Sequence, residues 1–385
     1  MEKTVSSIQS SGKCVLCGMC KSVCPTKAIE LVPNTKSGFY EVKLNSSACV
    51  SCGLCLSACP MAEDVRPSED TLGEYSEIML CHSANPYVRH SASSGGVINS
   101  LIRCLIENNL IDSVLTVREN ISSYFDTEVT VINKDNYTEL LDNPRAFASR
   151  YVSVPVLEAL DKCAGRTAVV GTPCQIKALS KYEKSKNVFK IAFACSGAVS
   201  FCASEIIKKR LAEDTYHIFY RGEGWPGFNT LTNGSNKIEA LHSKSTFERM
   251  YSSELFKNSA CRFCPSHFAE NSDLTLFDFW NESEMQSERE GNSVCVIRTG
   301  RGKTLTDLAL KNNYIEFVKS ISEEEALKTQ ASPLKKKHNR PYEKMPLKLY
   351  YLACGFIFKT RLYRILPLKA YSILCKLLAK LSRKV

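Results

Sequence analysis

Cys14-Val15-Leu16-Cys17-Gly18-Met19-Cys20-Lys21-Ser22-Val23-Cys24-Pro25 returns, with the same cysteine spacing, as Cys49-Val50-Ser51-Cys52-Gly53-Leu54-Cys55-Leu56-Ser57-Ala58-Cys59-Pro60. Cysteines at i, i+3 and i+6 in a tight loop aim three thiolates at three corners of one cubane. The fourth, beside proline, has left that loop and reaches a second cubane. This is the ligand spacing of paired 4Fe–4S clusters. It assigns Cys14, Cys17, Cys20 and Cys59 to one cluster, and Cys49, Cys52, Cys55 and Cys24 to the other. Gly18 and Gly53, each directly after the second cysteine of its run, allow the backbone to approach inorganic sulfide closely. A disulfide scaffold and paired zinc sites are the alternatives for so dense a set. Disulfide frameworks do not repeat this unit with a following proline, and zinc ribbons use only two cysteines per knuckle.

The unit resembles a bacterial-type two-cluster ferredoxin and occupies residues 1–62 as an α+β module. Ala28 to Leu31 and Tyr40 to Leu44 read as its short strands, joined through Asn34 to Gly38. A chain of 385 residues is far longer than that module, so a large second unit follows. Between them, residues 63–77, with Pro67, Ser68, Glu69, Asp70 and Gly73, suit a linker. The 44% hydrophobic and 23% charged residues are those of an ordinary globular protein. Nineteen cysteines combined with a polar, Ser-rich start and no signal-peptide pattern point to a reducing cytoplasm. No apolar run reaches the length of about 18 residues that a membrane-spanning helix needs. No nucleic-acid motif occurs either, so no nucleic-acid partner is expected.

Residues 78–332 read as an α/β domain. Apolar residues at Val97, Ile98, Leu101, Ile102, Leu105 and Ile106 keep the helical period after the small residues Ser93-Ser94-Gly95-Gly96. Ile111 to Val117 and Glu128 to Ile132 read as strands. Arg166 to Gly171 is a buried strand running into Thr172-Pro173-Cys174, with a helix over Gln175 to Tyr182. Val188 to Cys195 is a second buried strand, with a helix over Ser200 to Leu211. Strands that alternate with helices place chemistry beyond the strand C-termini. Segment 303–327 reads as helical.

Outside the repeat, Cys174 and Cys195 fall at strand ends, and Cys261 with Cys264 forms a Cys-x-x-Cys before Pro265. Four such thiolates could hold a third cluster or a zinc ion, and a structural or redox Cys-x-x-Cys is the plainer reading. Cys81, Cys104, Cys163, Cys202, Cys295, Cys354 and Cys375 sit mostly among apolar neighbours, where cysteine behaves as a small hydrophobe, and receive no function. The six histidines show no ligand spacing and none is assigned as an acid or base.

The order Ser94-Gly95-Gly96, Gly171-Thr172-Pro173-Cys174-Gln175, Cys195-Ser196-Gly197, Arg221-Gly222-Glu223-Gly224-Trp225-Pro226-Gly227, Cys261-x-x-Cys264 and Asp278-Phe279-Trp280 resembles the coenzyme F420 hydrogenase/dehydrogenase beta-subunit family over about residues 78–330. The resemblance implies FAD and one 4Fe–4S cluster held by Cys174, Cys195, Cys261 and Cys264. This chain departs from the family at Phe277, often glycine there, and at Ser196, often histidine. A flavin pyrophosphate needs free N–H groups at a helix start, which Ser93, Ser94, Gly95 and Gly96 suit; an ordinary Ser cap is the alternative. Thr172 would reach the flavin from the turn of Cys174. Arg221, Gly224 and Trp225 form a second candidate patch, where Arg meets phosphate and Trp covers a ring, or else a packed glycine loop.

The tail, residues 333–385, is basic and reads as helical: from Lys335 onward 14 Lys/Arg face one acid, leaving −3 on the rest of a chain of net charge +10. It suits either the inner face of an anionic membrane or a docked helix pair on the body or a partner. The expected architecture is therefore an α+β ferredoxin module, an α/β flavin-binding domain and a basic helical tail. The expected function is an iron–sulfur flavoprotein oxidoreductase passing electrons from a donor protein through three clusters to FAD and a small-molecule acceptor, coenzyme F420 or another. The alternatives are a non-catalytic subunit that wires a partner enzyme, and a zinc-stabilised binding domain fused to a ferredoxin.

Overall fold

A computed structural model describes residues 4–63, 71–182, 186–211, 217–233, 235, 237–252, 256–264, 266–281 and 287–339. The tail from residue 340, with Cys354 and Cys375, lies outside the described residues, so its helical and membrane readings do too.

In the N-terminal module β1 (Ile29–Asn34) pairs antiparallel with β2 (Phe39–Leu44). Short helices Met19–Ser22 and Leu54–Ser57 each start after a left-handed glycine, Gly18 (φ 89°) and Gly53 (φ 75°). At Gly18 the protein itself leaves no room for a side chain. A Cβ there would stand 2.5 Å from the Glu158 nitrogen and 2.7 Å from the Pro155 oxygen, whereas at Gly53 it would meet nothing within 4 Å. At Gly18 the second domain comes close, and Leu157 N–H donates to the Cys17 carbonyl at 2.9 Å beside it. Met19, Val23 and Ala58 share one apolar core with Val156, Leu157 and Leu179. Each fully buried aliphatic side chain there contributes about 1.5–3 kcal/mol. The far end of the module is tied as well, since Phe201 N–H donates to the Gly38 carbonyl at 3.0 Å. The stretch read as a linker already packs at its end: Leu72 is fully buried and its N–H donates to Glu323 at 2.9 Å.

The second domain is built on eight strands: β3 (Glu77–Ser83), β4 (Ser113–Glu119), β5 (Thr127–Ile132), β6 (Thr167–Gly171), β7 (Phe189–Phe193), β11 (Leu274–Asp278), β12 (Ser293–Ile297) and β13 (Ile315–Ser320). Their order is β13-β3-β12-β11-β7-β6-β4-β5. Strands β11, β7, β6 and β4 run parallel, and antiparallel strands flank them on both sides. Strands β6 and β11 are buried almost throughout because helices cover the sheet, among them Val97–Glu107 and Gly300–Lys311. Cys81, Cys104 and Cys295 lie in that core as small hydrophobes. A separate antiparallel sheet holds β8 (His217–Phe219), β9 (Phe228–Thr232) and β10 (Lys237–Leu241).

Segment 303–327 is not one helix. Asn313 turns left-handed (φ 56°) after the helix Gly300–Lys311, and the β-favouring Ile315-Glu316-Phe317-Val318 forms edge strand β13 before the helix Glu323–Thr329. Among the described residues no helix is long and apolar enough to cross a membrane.

Gly53→Ala is expected to cost only the left-handed backbone term, about 1–2 kcal/mol. Gly18→Ala adds the collision with the 155–158 backbone, so thermal unfolding of the anaerobic chain should fall clearly further. Equal losses would show that the module is not seated by this contact.

Candidate functional site

Each N-terminal cysteine run passes through left-handed backbone at the same two places: Leu16 (φ 56°) and Gly18 in the first, Ser51 (φ 53°) and Gly53 in the second. Such changes of hand turn successive N–H groups inward, making a concavity suited to an anionic sulfur centre. Beside the first run, Ala28 N–H donates to Cys24 Sγ at 3.3 Å. The structure brings Cys14, Cys17, Cys20 and Cys59 within electrostatic reach of one another. Cys24 instead lines a separate cavity of about 220 Å³ with Cys49, Cys52 and Cys55. Burial first, then Cys14 and Cys59, pushes the Cys20 thiol up to about 12. Ligation at such a site must displace the thiol proton.

The second cysteine set gathers at the C-terminal edge of the parallel strands. Cys174 follows β6 near the start of the helix Pro173–Ser180, Cys195 follows β7, and Cys261 lies on the turn Ser259–Arg262 just before Cys264. All four line one cavity of about 630 Å³, a volume within the range of small-molecule sites. Burial first, then Cys264 and Cys195, pushes the Cys174 thiol well up; burial, then Cys195 and Cys264, takes Cys261 to about 12. Cys17 of the N-terminal module also bears on Cys174, and Val15 lines the same cavity. Two polar hydrogens meet these sulfurs: Gly197 N–H stands 3.4 Å from Cys195 Sγ, and the Thr172 hydroxyl lies 3.2 Å from Cys174 Sγ. Among the described residues no three His, Cys, Asp or Glu side chains are grouped as one metal ion would require.

Of the residues singled out for a flavin, Ser93, Ser94, Gly96, Thr172 and Arg221 line this cavity. Gly95, Gly224 and Trp225 do not. Gly95 is wedged between β3 and β12, where a Cβ would stand 3.0 Å from the Cys81 oxygen and from the Ser293 nitrogen. Gly224 N–H donates to the His90 carbonyl at 2.8 Å. Trp225 lies behind the cavity wall, its ring 4.9 Å from that of Trp280, and Trp280 lines the cavity in its place. Gly96 caps the helix Val97–Glu107 in left-handed backbone (φ 72°) with no side-chain cap, and Gly96, Val97 and Ile98 all line the cavity.

Arg221 is almost wholly buried. It donates to the Pro226 carbonyl at 2.8 Å, to both Asp278 oxygens at 3.3 Å and to the Ser93 carbonyl. Burial opposes its charge, but Asp278 and then Tyr151 more than offset that and hold it above its ordinary value.

Sequence reasoning missed Tyr151, His242, His267, Gln330 and Lys337, all of which line the cavity. They arrive from separate segments with no shared spacing, so no motif announced them. Asp278 and Trp280 also line it, and there the Asp-Phe-Trp block was the available signal. His267 is held by the Cys195 carbonyl at 3.1 Å and Gln330 at 3.2 Å. Burial, then the Arg221 charge, pulls His242 down to about 3, so its 3.5 Å approach to Glu248 is no ion pair.

The chain thus joins a paired cysteine-run module to a main domain of mixed α/β fold, the composition of an iron–sulfur oxidoreductase family. Residues 13–62 match a 4Fe-4S dicluster domain, residues 78–161 the N-terminal part of "Coenzyme F420 hydrogenase/dehydrogenase, beta subunit", and residues 164–323 its C terminus. The chain belongs to that beta-subunit family and carries an N-terminal 4Fe–4S dicluster domain. It is 23% identical over 248 residues to the uncharacterized protein MJ1349 of Methanocaldococcus jannaschii, covering 60% of this chain and 63% of that one. The chain thus spans somewhat under two thirds of that relative's length. A chain of the xenon-derivatised F420-reducing NiFe hydrogenase complex from Methanosarcina barkeri superposes with a TM-score of 0.54 at 16% identity, over 73% of this chain and 95% of that one. At that identity the likeness is one of fold.

His242 yields a pH prediction. Its folded value lies below the unfolded one of about 6.5, so the unfolded chain binds the extra proton. Stability is full above that pH and is lost as pH falls from there toward 3, by at most about 1.4 kcal/mol per pH unit. Between pH 7 and pH 5.5, His242→Gln should lose about 1 kcal/mol less than the parent chain in denaturant titrations. Identical losses would show that His242 is protonated in the fold.

Proposed function

We propose that this chain is a flavin-dependent iron–sulfur oxidoreductase. In this reading Cys14, Cys17, Cys20 and Cys59 hold one 4Fe–4S cluster, Cys49, Cys52, Cys55 and Cys24 a second, and Cys174, Cys195, Cys261 and Cys264 a third. FAD shares the cavity of the third. The acceptor is a small organic two-electron carrier, with coenzyme F420 suggested by the family description.

One observation carries the reading: the cavity lined by four thiols is also lined by an uncapped helix start and by Val15 of the first cysteine run. Four soft sulfur donors spread around a cavity wall suit a cluster better than a single hard ion. The free N–H groups of Val97 and Ile98, at the positive end of the helix, suit a pyrophosphate. Ser94 is held for that purpose by donating to the Asn292 carbonyl at 2.8 Å. Arg221 brings a fixed positive charge to the same wall, which Tyr151 and Trp280 also line. A flavin bound there would convert one-electron supply into two-electron chemistry. On the other side Cys52, Val50 and Leu54 are exposed, which supports contact between the second cysteine run and an electron-donor protein.

Anaerobically purified chain should contain about twelve irons, from three cubanes, and about one releasable flavin. Cys174→Ala or Cys261→Ala should lose about four irons and leave the N-terminal signals. Cys104→Ala and Cys295→Ala, in the sheet core, should lose none. Ile98→Trp, which fills the cavity, should lose flavin and keep iron. Wild-type iron in both ligand variants would sink the third cluster, and a flavin-free parent chain that still reduces a partner would favour the wiring subunit.

A further inference from the structure

The turn that leads from β6 into the helix Pro173–Ser180 is locked by one buried glutamine. Thr172 N–H donates to Gln175 Oε1 at 2.8 Å, part of a capping box over the helix start. The other end of that amide is engaged too, since Gln175 Nε2 donates to the Val154 carbonyl at 3.0 Å. A Cβ at Gly171 would stand 3.1 Å from Gln175 Oε1, so the glycine before Thr172 leaves room for this clasp. Thr172 is thereby held in one place, and its hydroxyl oxygen lies 3.2 Å from Cys174 Sγ.

Which of those two atoms donates follows from ligation. A thiol that binds iron has lost its proton and can only accept. The hydroxyl is then the donor, and an O–H that meets a thiolate makes a charge-assisted hydrogen bond. The capping box agrees with this. It turns the hydroxyl oxygen toward the N–H of the third helical residue and leaves the hydrogen for a neighbour. A hydroxyl carries one hydrogen, so one given to the sulfur is not given to a flavin.

Resting on the three-cluster reading above, we propose that the Thr172 hydroxyl donates to Cys174 Sγ in the iron-loaded chain and so raises the reduction potential of the innermost cluster. Thr172 is in this role a positioning residue, acting through the sulfur of Cys174. A cubane gains one negative charge on reduction, and part of it falls on the thiolate sulfurs. A donor aimed at one of them therefore bonds the reduced state more strongly than the oxidised one. The step is a one-electron exchange. One electron leaves a cluster of the N-terminal module, which is oxidised, and enters the innermost one, which is reduced. No covalent bond forms or breaks and no proton is transferred; the O–H stays on Thr172. The electron comes first from a low-potential one-electron donor protein, for which dithionite stands in below.

Redox titration of the full anaerobic chain with dithionite, followed by electron paramagnetic resonance and iron counting, tests this. Thr172→Val keeps the shape and removes the hydroxyl. It should lower the innermost midpoint by roughly a tenfold change in electron partition, about 59 mV for one electron. Thr172→Ser should restore the midpoint, and the N-terminal midpoints should stay put in both. After exchange into deuterium oxide, electron–nuclear double resonance on the reduced innermost cluster should show a deuteron in the parent and in Thr172→Ser that Thr172→Val lacks. A merely structural cap would move neither reading. If Thr172→Val fails to load iron, Thr172→Ala and the deuteron signal of the parent deliver the result. A fully loaded variant with an unshifted midpoint, or a parent with no deuteron coupled to that cluster, would overturn the Thr172 assignment alone. A parent chain with about eight irons would overturn the three-cluster reading as well.

Discussion

The hydrogen bond from Leu157 N–H to the Cys17 carbonyl, 2.9 Å long, fixes where everything else can be. It is a backbone contact, made possible because Gly18 next door has no side chain to hold the 155–158 turn away. Main-chain docking of this kind allows less slack than two side chains meeting across a surface. It sets the first cysteine run against the second domain at one register, and Cys17 thereby comes within electrostatic reach of Cys174. Were this seam a flexible linker, the distance between sulfur centres would vary, and any electron path across it would open and close with the motion.

The receiving side of the seam follows from sheet topology. Parallel strands deliver all their C-termini to one edge, so Cys174 after β6, Cys195 after β7 and Asp278 at the end of β11 must lie near one another. Strand β3 runs the same way, with antiparallel β12 between, and so its following turn Ser93 to Gly96 reaches that edge too. The shared cavity is a consequence of strand direction rather than of any local motif.

That explains which parts could be read from the sequence. The eight-cysteine repeat was legible because cubane ligation imposes a spacing within a single loop. The buried strands β6 and β7 were legible because an apolar run before a turn needs no tertiary context. Trp225 and Gly224 look like a contact patch in sequence, yet the loop after β8 packs Trp225 against Trp280, and it is Trp280 that lines the cavity. His267 and Lys337 were invisible, since each reaches the site from an element whose own pattern says nothing about it. Segment 303–327 misled because a helix, a left-handed Asn and an edge strand together mimic one amphipathic stretch.

Arg221 shows how such scattered segments are held as one wall. Its guanidinium bonds the Ser93 carbonyl, the Pro226 carbonyl and the Asp278 carboxylate, three stretches far apart in the chain, and lies 5.4 Å over the Trp280 ring. A buried ion pair adds little net stability over a well-packed apolar pair, because both charges lose water. Its worth here is geometric: five fixed N–H donors admit only one arrangement of their acceptors. A lysine could supply the charge but not that planar fork. The helix start at Gly96, the turn at Pro226 and the end of β11 therefore keep their relative positions through one side chain, and the cavity they enclose keeps its shape.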